Sequence, residues 1–112
     1  MDTQHERAGY WRDDICCGVD LNAYLYRECR ALSLIAGTRN DDATAGHFAR
    51  EAEKKRDAVR ERMWNEDDGF FYDIDRRTGG QKRIRSTAGF MPLWAGIATK
   101  EQAKRVIEEH LT

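Results

Sequence analysis

The stretch Leu21-Asn22-Ala23-Tyr24-Leu25-Tyr26-Arg27-Glu28-Cys29-Arg30-Ala31-Leu32-Ser33-Leu34-Ile35-Ala36 decides the fold class. Leu21, Leu25, Cys29, Leu32 and Ile35 fall on one stripe of an α-helix, and Tyr24, Ala31 and Leu34 widen that stripe sideways. Such a helix is expected to be buried on more than one side. Asp20 is placed to cap it by accepting a backbone N–H, and Gly37 to release the chain through a left-handed conformation.

Working outward, a second helix is expected from about Asp42 to Trp64, where Ala45, Phe48, Ala49, Ala52, Val59 and Met63 recur at helical spacing. Asn40 or Asp41 supplies its cap. Glu51 to Lys55, Glu53 to Asp57 and Asp57 to Glu61 mix favourable and unfavourable four-residue pairs, the mark of a solvated outer face. Gly37 to Asn40 is too short for a linker, so the two helices fold back as an antiparallel pair.

After Trp64, Asn65-Glu66-Asp67-Asp68-Gly69 breaks the helix and Phe70-Phe71-Tyr72-Asp73-Ile74-Asp75 favours a strand. Gly79-Gly80 turns the chain towards a return strand at Lys82 to Arg85. Alternation places Phe71, Asp73 and Asp75 on one side and Phe70, Tyr72 and Ile74 on the other. Pro92 suits the first turn of a short helix through Leu93 to Ala98. Thr99 and Gln102 then form a capping box for a last helix over about Lys100 to His110, with Ala103, Val106, Ile107 and Leu111 inward.

The chain has 112 residues, enough for one small domain or part of a larger one. Nineteen Lys and Arg against twenty Asp and Glu give a net charge of −1, which offers no field to gather nucleic acid or an anionic membrane. Its apolar runs fall well short of the ~20 residues that cross a bilayer. The polar start Met1-Asp2-Thr3-Gln4-His5-Glu6 has no signal-peptide core, so a soluble chain in the cytoplasm is the default expectation, although a fragment leaves its parent's compartment unknown. Cys16 and Cys17 are adjacent and Cys29 lies in the helical pattern, which suggests no disulfide framework and a reducing compartment. With His5, His47 and His110 scattered, no metal or organic cofactor is expected.

Residue chemistry alone does not settle a function. Asp67, Asp68, Asp73 and Asp75 surround Gly69 without EF-hand spacing. The plainer expectation is that Asp67 and Asp68 hydrogen-bond a turn, while Asp73 and Asp75 meet arginines or solvent. Two carboxylates on one side of a strand evoke glycosidic acid–base chemistry, but adjacency supplies no such geometry. Tyr10, Trp11, Trp64, Phe70, Phe71, Tyr72, Phe90 and Trp94 offer faces for sugar rings, with core packing as the stronger reading. Arg76, Arg77, Lys82, Arg83 and Arg85 could meet phosphate, but the acidic approach to them argues against a dedicated positive face. Cys16 and Cys17 read as fillers of apolar space, because no cysteine–histidine arrangement activates them. Dinucleotide, Walker, HExxH and GxSxG motifs are all missing.

Three ordered segments add to this reading: Val19-Asp20-Leu21-Asn22-Ala23-Tyr24-Leu25-Tyr26, Met63-Trp64-Asn65-Glu66-Asp67-Asp68-Gly69-Phe70-Phe71-Tyr72-Asp73-Ile74-Asp75, and Ala88-Gly89-Phe90-Met91-Pro92-Leu93-Trp94-Ala95-Gly96. Together they resemble the trehalase and processing α-glucosidase-like glycoside hydrolases, including mannosylglycerate-hydrolase-like members. The resemblance covers most of Val19 to Leu111. It implies an all-α fold, a helical-hairpin sector of an (α/α)6 toroid with one short β-hairpin over residues 19–112, preceded by an irregular segment over 1–18.

The activity implied is inverting hydrolysis of α-linked glucosides or related sugars such as trehalose, glucosylglycerate or mannosylglycerate. The family's acid lies in a Gly-x-Asp segment before the Val-Asp-Leu-Asn motif. Here Ala8-Gly9-Tyr10-Trp11-Arg12-Asp13 has Trp11 where the aspartate falls, so Asp13 does not inherit the role, and the base segment lies beyond the matched part. No catalytic, cofactor-binding or metal-binding residue is therefore assigned. Asp20 and Asn22 are expected to organise the helix entry, beside the cavity. Phe90 and Trp94 resemble packing positions, lining a sugar cavity only indirectly.

The expected partner is a carbohydrate, bound by the full-length parent. The isolated chain is expected to be inactive and to self-associate, because Leu21, Leu25, Leu32, Ile35, Phe48, Val59, Val106 and Ile107 lack all their native neighbours. The competing reading is a noncatalytic helical scaffold or protein-interaction module.

Overall fold

A computed structural model describes residues 18–111. Helix α1 spans Val19–Thr38 and α2 spans Asp42–Ala58, and they pack side by side along their lengths. Between them, Asn40 takes the left-handed conformation (φ 61°). This is the position expected of Gly37, which remains inside α1. Asp41 caps α2, its side chain accepting from the Thr44 N–H at 3.1 Å.

Of the α1 stripe expected to face inward, Cys29 is buried and Leu25 half-buried, but Leu21, Leu32 and Ile35 are turned outward. Val19, Asn22, Ala23, Tyr26, Cys29 and Ala36 are buried, whereas Leu21, Leu32 and Ile35 are exposed. The physical reason lies in the neighbour. Helix α2 offers a surface of small residues such as Ala45, Gly46 and Ala52, and the side of α1 that carries Ala23 and Ala36 can approach it closely.

Helix α2 ends earlier than its periodicity suggests. Val59–Met63 form a π-helical turn, and Trp64–Asn65 are already extended as β1. Strand β1 pairs antiparallel with β2, Phe70–Phe71, and β3, Asp73–Ile74, pairs with β4, Gln81–Lys82. The extended run from Phe70 is thus paired twice, backwards and forwards, in two very short ladders. Alternation fails over Phe70, Phe71 and Tyr72, which are all buried in one core with Val19, Met63, Ile97 and Val106. The fold class stands as expected, a mostly helical chain with a short hairpin region.

A 3-10 turn at Thr87–Phe90 leads into α3, Met91–Ala95, with Pro92 in its first turn and Gly96 (φ 80°) ending it. Helix α4 spans Lys100–His110 behind a complete Thr99–Gln102 capping box. Val106 is fully buried, but Ile107 and Leu111, expected inward, are exposed because α4 meets the rest of the chain along a narrow line. The shortest dimension of the molecule is 18 Å, less than two helices of ~10–12 Å diameter. Its radius of gyration is 15.1 Å, against about 13 Å for a compact domain of ~100 residues. The chain is a slab, buried along its midline and open on its outer faces.

Candidate functional site

The most constrained polar region surrounds the 66–69 turn. Gly69 has φ 65°, and a side chain there would meet Glu109 Oε1 at 2.7 Å and Arg105 Nη2 at 2.9 Å, so α4 bears directly on the turn. Arg105 Nη1 donates to the Glu66 carbonyl at 2.5 Å and its carboxylate at 2.9 Å, and Nε donates to Glu109 at 2.9 Å. Trp64 Nε1 donates to Glu66 at 2.7 Å. His110 lies 2.9 Å from the Asp68 carbonyl; a carbonyl only accepts, so Nε2 carries the proton, and the ring packs 4.7 Å from Phe70.

Asp68 is held on three sides. Its carboxylate accepts from Tyr72 Oη at 2.6 Å and from both Nε and Nη2 of Arg83, at 3.1 and 2.8 Å. The Tyr72 hydroxyl first, and then Arg83, hold its carboxyl below the usual carboxylate range. Burial first, and then the bond to Asp68, push the Tyr72 phenol up. Asp75 accepts from the Arg77 N–H at 2.8 Å and is also lowered, chiefly by that backbone bond. Glu109 is lowered by Arg105. These shifts run against the elevated pKa that a general acid requires.

Asp73 has a different task. Its Oδ1 accepts from the Val19 N–H at 2.8 Å, across 54 residues of sequence. The hairpin therefore supplies the cap of α1. Asp20 is not the cap: that position belongs to Gly18, and Asp20, exposed in the first turn, accepts from the Leu21 N–H among the described residues. Asn22 is buried beneath, its Nδ2 donating to the Gly18 carbonyl at 2.8 Å. The Asp20-Leu21-Asn22 entry and the Phe70–Asp75 strand thus meet as one unit.

Phe70, Arg85, Ser86, Phe90, Glu109 and His110 line an open cleft of 310 Å³. Phe70, Phe71 and Tyr72 are core residues, with almost no exposed ring face. Trp64 packs against Phe71 with ring centroids 4.8 Å apart and planes tilted by 57°, while Trp94 is half exposed with Arg27 over its ring at 4.2 Å. In the basic stretch, Arg83 pairs with Asp68 and Arg77 with Asp75, so these charges brace the hairpin. Burial pushes the Cys29 thiol up, which keeps it protonated and unreactive. Among the described residues, no three His, Cys, Asp or Glu side chains gather as a metal site, and no helix is long and apolar enough to cross a membrane. Readings that fall on His5, Tyr10, Trp11, Asp13, Cys16 and Cys17 lie outside the described residues.

Sequence reasoning missed the capping role of Asp73 and the bridging role of Gln81. The Gln81 amide donates to the Arg62 and Trp64 carbonyls and accepts from Asn65, tying the two ladders together. Neither role leaves a local signal, because both partners are distant in sequence.

Comparison with known proteins gives this geometry its context. Residues 2–112 match the mannosylglycerate hydrolase MGH1-like glycoside hydrolase domain. The chain is also 28% identical over 114 aligned positions to a probable trehalase of Eremothecium gossypii, an alignment covering 91% of this chain and 15% of that protein. The chain thus spans about a seventh of the length of this relative. Across nearly all of its residues, the chain belongs to the mannosylglycerate hydrolase MGH1-like glycoside hydrolase family.

Proposed function

We propose that this chain is one sector of an (α/α)6 toroid in an inverting hydrolase of α-linked sugars, with both catalytic carboxylates supplied from outside it. One observation carries this reading: besides its buried side, α1 leaves Leu21, Tyr24, Leu32, Leu34 and Ile35 exposed, interspersed with Asp20, Arg27, Glu28 and Arg30. So many large apolar side chains on the open side of one helix are the mark of a surface that meets further structure. The family membership and the 15% coverage of the trehalase relative support the same conclusion.

Inversion requires an acid at the glycosidic oxygen and a base across the ring, with the carboxyls ~6.5–9.5 Å apart to admit water. In this reading, the chain's own carboxylates shape the scaffold. Asp73 fixes the α1 entry and Asp68 anchors the hairpin. The Phe90, Arg85 and Ser86 edge of the cleft contributes wall to the sugar cavity.

The test is hydrolysis of trehalose, glucosylglycerate, mannosylglycerate and glucose-capped oligosaccharides by the 112-residue chain and by the longest reading frame containing it. The longer protein should release the inverted β-anomer of one of them, followed by NMR, and the chain alone should release none. Robust turnover by the chain alone would overturn the assignment of the carboxylates. A longer protein that neither cleaves nor binds any of these sugars would favour a noncatalytic scaffold.

A further inference from the structure

The cleft beside the 66–69 turn has a rigid floor. Phe70 is 1% exposed, Phe90 packs edge-to-face on it at 5.1 Å, and the His110 ring lies 4.7 Å from its other neighbours' side. Its volume of 310 Å³ stands at the small end of the ~300–1,000 Å³ found for ligand pockets, so it suits a small ligand.

The rim divides into donors and acceptors. Arg83 is taken by Asp68, and Arg105 by Glu66 and Glu109, which leaves Arg85 in no ion pair among the described residues. Ser86, at the start of the 3-10 turn, makes no side-chain capping bond. Opposite them, Glu109 accepts from Arg105 at 2.9 and 3.4 Å, and a carboxylate offers about four acceptor positions, so part of its capacity stays open. His110 spends its Nε2 proton on the Asp68 carbonyl, and Nδ1 of the neutral ring accepts.

Charge decides which ligand fits. Around the cleft, Arg83, Arg85 and Arg105 are matched one for one by Asp68, Glu66 and Glu109, so no net field draws an ion. A carboxylate would satisfy Arg85 but face Glu109. An ammonium would satisfy Glu109 but face Arg85. A hydroxyl group donates and accepts at once, so neighbouring hydroxyls on a neutral ring serve both edges. The apolar face of such a ring has Phe90 to lie against.

We infer that this cleft binds a neutral sugar ring within the 112-residue chain itself, with Arg85 and Ser86 donating, Glu109 accepting and Phe90 supplying the apolar wall. The inference rests on the sector reading for placing this edge in the sugar cavity. It adds the charge of the ligand, the residues that read that charge, and binding without the rest of the enzyme. With few contacts and one open side, the dissociation constant is on the order of 1–10 mM.

Titration of the isotopically labelled chain, residues 1–112, with D-glucose tests the proposal by amide NMR. Signals of Ser86, Phe90, Glu109 and His110 should move along one binding curve. D-Glucuronate and protonated D-glucosamine carry a carboxylate or an ammonium on the same ring, and each should bind about fivefold more weakly. Arg85→Ala should weaken D-glucose about tenfold by removing a charged donor. Glu109→Ala should weaken D-glucose as well, yet strengthen D-glucuronate relative to it by lifting the repulsion, a reversal that loosening of the fold would not produce. Arg77→Ala, which does not line the cleft, should leave D-glucose binding unchanged. Arg85 and Glu109 face solvent, and circular dichroism checks that the fold is kept.

No shifts up to tenfold above that range, shifts centred elsewhere, D-glucuronate binding as tightly as D-glucose, or unchanged binding by Arg85→Ala would each overturn the inference. The hydrolysis assay stands apart. A chain that binds no sugar leaves turnover by the longer protein untouched, whereas a binding chain whose longer protein cleaves nothing keeps this site and removes the hydrolase reading.

Discussion

Replacing Gly89 with alanine is the sharpest perturbation of the fold. The added methyl group would overlap Cε2 and Cζ of Phe70 and approach the Phe71 carbonyl oxygen at 2.7 Å. Neither obstacle can yield cheaply. Phe70 is 1% exposed, with Phe90, His110 and Tyr72 packed around its ring, and Phe71 is held in the first ladder opposite Trp64. Overpacking a rigid core costs about 1–3 kcal/mol. Displacing the ring also weakens three aromatic contacts of about 0.5–1.5 kcal/mol each. A loss of about 3–5 kcal/mol follows, a large share of the ~5–15 kcal/mol that holds a domain together. Urea unfolding followed by far-ultraviolet circular dichroism measures it, with Gly79→Ala as the control. Gly79 has φ 75° but nothing within 4 Å, so its substitution isolates backbone strain, of about 1–2 kcal/mol. A Gly89→Ala variant that loses less than Gly79→Ala would refute the reasoning.

Three further outcomes are expected. Asp73→Ala should cost about 1–2 kcal/mol in the same unfolding assay through loss of the α1 cap, and Asp73→Asn, which keeps an acceptor oxygen, should cost less. Asp68 has a folded-state pKa below its unfolded value, so its stabilisation is complete above the ordinary carboxylate range and is lost as pH falls through the depressed pKa. The gap in urea midpoint between the wild type and Asp68→Asn should therefore be full at neutral pH and close in acid. Gln102→Ala should destabilise more than Thr99→Ala, whose cost is about 1 kcal/mol, because Gln102 also donates to the Arg60 carbonyl at 3.2 Å.

The elements that could be read from the sequence are those with local causes. The Asp41 cap, Pro92 and the Thr99–Gln102 box act over three or four residues, and α2, α3 and α4 begin where they place them. The orientation of α1 was not legible, since its large apolar residues Leu21, Leu32 and Ile35 outweigh in periodicity the smaller Val19, Ala23, Cys29 and Ala36 that are covered. The first ladder was hidden because Trp64 continues the helical periodicity of α2, whereas the return strand after Gly79-Gly80 was expected and is found one residue earlier, at Gln81–Lys82. At the candidate site, the expectation that Asp75 meets an arginine matches the contacts found, but the turn is held by Asn65, whose Oδ1 accepts from the Asp68 N–H, while the Asp68 carboxylate serves Tyr72 and Arg83. The link from Asp73 to Val19 is tertiary, and no spacing rule reaches it.

The central claim is that the outer face of α1 is an interior surface of a larger enzyme. Hydroxyl-radical footprinting of the longest reading frame containing this chain, read at Leu21, Leu32 and Ile35 against the 112-residue chain at submicromolar concentration, tests it most directly. The account predicts strong protection of all three in the longer protein and free labelling in the chain. Equal labelling in both would contradict it.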